Sequence, residues 1–299
     1  MRRLLTFAVL AAVFSSATFA KPREVRRLRP TSQWVLDYAD ESCQLGRTFG
    51  EGADKVVLIL YQLQPGDYFK LTFVGSSVKP DGNVTSGALQ FGPIESESEI
   101  TVTQGTSGPD RILIVDGTER IAPLSDLEQK LSDAADRNDT YYEPAPIGPQ
   151  REKAASWLAL NKIMKFDLVL DTGPMHAAME ALRHCTWDLV GSWGLDVEQQ
   201  KALSRKTYAK SVARWFDADD YPKKMVRSES EGIVNFRLMV SASGRPESCH
   251  IQVSTRPKEF DDVVCKIMMR RARFEPALDA EGRPVRSYYQ NTIVFRLMG

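Results

Sequence analysis

Few residues in this 299-residue chain stand at spacings that could do chemistry. Ser76-x-x-Lys79 has the form of a nucleophile beside its base. That pairing needs the two residues one turn apart on a helix, and Pro80-Asp81-Gly82 forces a turn there instead. His176 and His184 with Cys185 suggest metal ligation. The histidines are eight apart, about 80° from sharing a helical face, so they read as exposed polar residues of a helix. Asp217-Ala-Asp-Asp220 lacks the glycine and distal glutamate of a calcium loop. Gly50-x-Gly52 lacks the third glycine and the following helix of a phosphate cradle. Trp187 and Trp193 could form a ligand platform, but two tryptophans on a short helix more often pack inward. These patterns predict neither an enzyme nor a cofactor or metal site.

The elements that would carry such residues are mostly strands in the first half of the chain. Lys55–Tyr61 is a β-branched apolar run fit for a core strand. Tyr68, Leu71 and Phe73 follow the turn Pro65-Gly66-Asp67, and Glu99–Thr103 and Arg111–Val115 are two more strand patterns. Ser125-x-x-Glu128 is a capping box opening a helix with Leu127, Leu131 and Ala134 on one face. The proline-rich stretch 140–150 reads as a loop, and Phe166–Leu170 as a strand. A second helix follows, with Ala178, Leu182 and Cys185 on one face. Asp196-x-x-Gln199 caps a third helix, predicted to run to about Phe216 as a connector within 196–220.

Residues 1–20 read as a secretory signal peptide. Arg2 and Arg3 are followed by an apolar run to Phe14, and Thr18-Phe19-Ala20 ends in small residues, so cleavage is expected before Lys21. An alternative is an inner-membrane anchor formed by residues 4–20. Residues 21–30 are basic and proline-punctuated, and read as a mobile leader. Four cysteines in an exported chain favour two disulfides over metal ligation, since neither C-x-x-C nor clustered histidines occur. Net charge is zero. From Tyr221 onward there are 14 Lys+Arg against 9 Asp+Glu, a net +5. No basic run interleaves with aromatics, so nucleic acid is not an expected partner.

The last 79 residues carry the most specific pattern: Tyr221-Pro222, Gly232-x-Val234-x-Phe236-x-x-x-Val240-x-x-x-Gly244, Arg273-Phe274-x-Pro276-Ala277, Gly282-x-Pro284-Val285 and Phe295-x-Leu297. In this order they resemble the C-terminal domain of the TonB family, a protein-binding module of the Gram-negative periplasm. The resemblance implies a small helix-strand-strand-helix-strand domain over 221–299, after a β-rich domain over 31–195, and hence an α+β fold. Val234, Phe236, Leu238 and Val240 are expected on one face of its first strand. Cys249 is expected with Ile251 and Val253 on one face of the next, under a helix bearing Phe260, Val264, Ile267 and Met268. This layout pairs Cys249 with Cys265, as family members often do, and leaves Cys43 for Cys185. The last strand would be an edge strand that binds a partner through Asn291, Thr292, Val294 and Arg296. The implied partner is an envelope protein such as an outer-membrane transporter, and the implied location is the periplasm. Two features depart from the family's transducers: the first histidine is His176, and no proline-rich spacer follows the apolar leader. The second reading is therefore a structural, ligand-binding or cell-wall-binding envelope protein with no transport role.

Overall fold

The computed structural model describes residues 22–255 and 257–297, so the signal-peptide expectation lies outside the described residues. The N-terminal part begins with β1 (Val25–Leu28), β2 (Val35–Ala39), β3 (Ser42–Phe49), β4 (Val56–Gln62), β5 (Lys70–Val74), β6 (Ser86–Phe91), β7 (Ser98–Ser107) and β8 (Asp110–Val115). Helices α1 (Asp126–Arg137) and α2 (Pro149–Ala154), strands β9 (Leu158–Asn161) and β10 (Asp167–Leu170), and helix α3 (His176–Ser192) complete it. The ten strands run in the order β1-β10-β9-β6-β7-β8-β5-β4-β3-β2. The long strand β7 joins two halves, pairing with β6 up to Thr101 and with β8 from Val102.

The core lies where the halves and α3 meet. Leu58, Leu60, Leu71, Phe73 and Leu113 come from one half, and Leu89, Leu158, Leu160 and Leu170 from the other, all at most 1% exposed. In β4 the alternation sends Val56, Leu58, Leu60 and Gln62 inward, leaving Val57, Ile59 and Tyr61 half-buried on the opposite face. Helix α3 carries Cys185 down onto β3, where it is bonded to Cys43. The capping box at Ser125 is present, with Ser125 Oγ accepting from the Glu128 backbone N–H. The stripe of α1 nonetheless points outward: Leu127 and Leu131 are exposed and Ala135 is the residue buried.

The basic leader is corrected by the structure. Within 21–30, residues Val25–Leu28 form an edge strand paired in parallel with β10. Its arginines find partners that the sequence did not announce: Arg23 pairs with Asp167, Arg27 with Asp171, and Arg26 lies over the Phe166 ring. The ladder satisfies the backbone, and these contacts keep a charge-rich segment on the sheet.

The C-terminal part comprises α4 (Val197–Lys201), β11 (Tyr208–Ala209), α5 (Lys223–Arg227), β12 (Gly232–Val240), β13 (Pro246–Ser254), α6 (Lys258–Arg271), β14 (Phe274–Glu275), β15 (Ala277–Leu278), β16 (Pro284–Val285) and β17 (Ser287–Phe295). Its main sheet has the order β13-β12-β17, with α6 packed on one face. The fold is thus α+β throughout. The connector helix expected over 196–220 is corrected: α4 stops at Lys201. Beyond it, Ser204 and Arg205 donate to the Leu278 carbonyl, Tyr208 and Ala209 pair with β14, and Trp215 is buried against Phe274. Tertiary pairing outweighs the weak helix propensity of Ser204, Thr207 and Tyr208.

Two glycines of the C-terminal pattern have steric reasons. A Cβ on Gly232 would meet the Phe260 ring at 2.7 Å. Gly244 turns the β12–β13 hairpin at φ +73°, and a Cβ there would lie 2.1 Å from the Phe274 carbonyl oxygen.

Candidate functional site

Among the described residues strand β17 is an edge strand, paired only with β12. Antiparallel strands point successive backbone N–H groups to opposite sides. The Leu297 N–H reaches back to Glu231 beside β12, while the Thr292 N–H is taken by the Asn291 side chain at 2.7 Å rather than by the ladder. By that alternation Gln290, Thr292, Val294 and Arg296 present their N–H groups along the free edge. The Asn291 carboxamide therefore caps one edge donor.

Each residue expected to bind a partner can now be placed. Asn291 accepts from the Thr292 N–H and donates to the Tyr289 hydroxyl. Thr292 donates through Oγ1 to Asn235 Oδ1 at 2.8 Å. Val294 is 42% exposed. Arg296 forms an ion pair with Asp116 of the N-terminal part at 2.6 Å. The edge thus offers a partner its backbone and Val294, while the polar side chains are already engaged.

The second face of the sheet was not anticipated. Every residue of β12 is buried. Val234, Phe236, Leu238 and Val240 pack under α6 as the sequence pattern requires, with Phe260 stacked on Phe295. Of the intervening residues, Ile233 and Asn235 turn to the outer face of the N-terminal sheet, and Arg237 and Met239 to Glu41 and the end of α3. Met239 and Tyr288 pack with Val190, Leu195, Trp187 and Trp193. Val253 is corrected to this face as well. A bulge between Asn235 and Phe236 sets Ile251 opposite Phe236 and Val253 opposite Asn235, so Cys249 and Ile251 stay in the α6 core while Val253 leaves it. The bulge residue Gln252 donates to the carbonyls of Glu41 and Leu63.

Polar anchors hold the two parts together. Arg237, 3% exposed, places Nη2 3.0 Å from both oxygens of Glu41 and lies over the Trp193 ring at 4.2 Å. Desolvation lowers the Arg237 pKa despite this partner. Gln200 bridges to β17 through the Arg286 carbonyl and the Ser287 hydroxyl. Between the anchors lie two cavities, of about 230 Å³ and about 210 Å³. Lys70 and Tyr61 line both. Burial pushes the Lys70 ammonium down to about 8, opposed by the negative charges of Asp116 and Glu119. The Tyr61 phenol is pushed up to about 12 by burial.

The sequence-level candidates for chemistry do not converge. His176 is corrected from an exposed residue: its Nδ1 lies 2.7 Å from the 1%-exposed Glu152, which also takes two bonds from Arg183. This cluster seats α2 on α3. His184 is exposed, as expected. Cys249 is bonded to Cys265, tying β13 to α6. Among the described residues no helix is long and apolar enough to cross a membrane.

Residues 217–297 match the family described as Gram-negative bacterial TonB protein C-terminal. No curated protein matches the chain.

Proposed function

We propose that this chain, whose C-terminal region is TonB-like, is an exported envelope protein that binds a protein partner by strand addition to β17. The observation that carries the reading is the edge of β17 away from β12, where the N–H groups of Gln290 and Val294 point outward and that of Thr292 is held by the Asn291 side chain. An extended peptide pairs with such an edge through main-chain bonds, and side-chain contacts select its sequence. The family match supports an envelope role without catalysis. Two disulfides support an oxidising compartment, and the sequence of residues 1–20 supports export to the periplasm. An outer-membrane transporter is the partner class that the family suggests.

Two measurements test this. Protein recovered from a native envelope should begin at or near Lys21 by intact mass. A full-length chain held in the inner membrane would favour the anchored alternative. Separately, Val294→Pro in the full chain removes an outward N–H that contributes no internal ladder bond, and Thr292→Pro removes another together with its bonds to Asn291 and Asn235. Either should weaken capture of envelope proteins at least tenfold while the far-ultraviolet circular dichroism is preserved. Proline variants that fold and capture normally would make edge pairing the wrong mechanism.

The second reading, a ligand-binding or structural envelope protein, has its own observation in its favour. The module is seated face-on against the N-terminal sheet, with two cavities between them, one of mixed lining and one mostly apolar. A module committed to that contact need not reach a distant membrane.

A further inference from the structure

One of the two interdomain cavities is bounded on one side by Gln290, Asn291 and Thr292 of β17 and on the other by Tyr61, Tyr68, Lys70 and Thr118. Neighbouring residues of a strand face opposite ways, so a cavity touching Asn291 and both its neighbours reaches around the strand's free edge. Lys70 is 3% exposed and is the charged residue lining this cavity. Among the described residues it makes no side-chain hydrogen bond and no ion pair within 4 Å. Asp116, the acidic residue lining the adjoining cavity, is already shared between the Thr103 hydroxyl and Arg296. Glu119 lies near enough to act on Lys70 electrostatically, yet forms no ion pair with it. The Lys70 ammonium feels two carboxylates but touches neither, and a bound anion in direct contact would offset more of its desolvation.

We infer that this cavity is a carboxylate-binding site, in which the Lys70 ammonium and the outward Gln290 N–H of β17 take the anionic end of a compact acid or of a peptide chain. A lysine suits this as a compact, strongly hydrated point charge on a flexible stem. About 230 Å³ is room for several waters, which suits a short acid or the last residues of a chain. The free acid and the chain end share one chemistry, and only the chain end rests on edge pairing as well.

Calorimetric titration of the full-length, oxidised protein tests the site with four probes: succinate, succinamide, trialanine, and trialanine amide. Binding of at least one acid is expected, with its amide at least tenfold weaker and with loss of tenfold or more in Lys70→Met. An amine titrating at about 8 is roughly a tenth charged at pH 9 and nine-tenths charged at pH 7, so affinity should rise about tenfold over that range. Binding of succinate identifies a free-acid site. Binding of trialanine without succinate identifies a chain-end site, and Val294→Pro should then weaken it too. Absence of acid binding, or equal binding by Lys70→Met, overturns the inference. Should Lys70→Met fail to fold, nuclear magnetic resonance of the ¹³C-methylated wild-type lysines decides. The Lys70 titration must move to higher pH when acid is added, and a fixed titration overturns the site.

Discussion

Alanine at both Cys43 and Cys185 is expected to lower the unfolding free energy by about 3–5 kcal/mol, more than any other change considered for this protein. The bond spans 142 residues of sequence, and the chain-entropy account gives such a loop about 5 kcal/mol against about 3 kcal/mol for the 16-residue separation of Cys249–Cys265. Both sulfurs are fully buried, so truncation also leaves a cavity between α3 and β3. Residual order in the unfolded chain reduces the entropic part, which sets the lower figure. Urea titration of each double-alanine variant, followed by tryptophan fluorescence and circular dichroism, measures both effects. A larger loss from the short loop than from the long one would show that packing, rather than loop closure, sets their worth.

Much of this architecture was legible in the sequence because local patterns and packing agree. The Ser125 cap, the alternation around Phe236 and the stripe of α6 each have one physical solution, and the structure contains it. What was missed is the contact between the parts. The pattern of Val234, Phe236, Leu238 and Val240 accounts for one face of β12, yet Ile233, Asn235, Arg237 and Met239 on the other face are buried as well. A strand with so few polar residues signals burial on both faces. On the N-terminal side the matching signal was present in Ile59, Ile112 and Ile114, outward residues of strands assigned to the core. The bulge that turns Val253 over left no mark in the sequence, because a one-residue insertion in a pairing register depends on the partner strand. The same applies to β1, whose arginines read as a solvated run until Asp167 and Asp171 supply their partners.

The edge of β17 was likewise placed by position, and its chemistry came out differently. Four side chains were expected to face a partner. Asn291, Thr292 and Arg296 are held by Tyr289, Asn235 and Asp116, so recognition would rest on main-chain groups and on Val294. Backbone recognition tolerates varied sequences, and any selectivity must come from the surroundings. The Lys70 cavity beside that edge is where such selectivity could be built.

Glu41→Ala is expected to cost about 2–4 kcal/mol, whereas Arg237→Met should change stability by less than about 1 kcal/mol, although the two substitutions break the same ion pair. The asymmetry follows from burial. Arg237 is 3% exposed and Glu41 26%, so removing the carboxylate strands a guanidinium that water cannot reach. Arg237 Nε already lacks a bonding partner, and desolvation already outweighs the pull of Glu41 on its pKa. Removing the arginine releases a carboxylate that can turn to solvent, and a methionine can fill the space beside Met239 and Trp193. Some of the Trp193 stacking energy is lost, roughly 1 kcal/mol, and the released desolvation cost offsets it. Glu41→Ala should also loosen the contact between the two parts, seen as faster hydrogen exchange in β12 and quicker quenching of Trp193, with the N-terminal core unaffected. Equal losses from both substitutions would mean that the pair is solvated and that the contact is held by Gln252, Gln200 and the Met239 cluster instead.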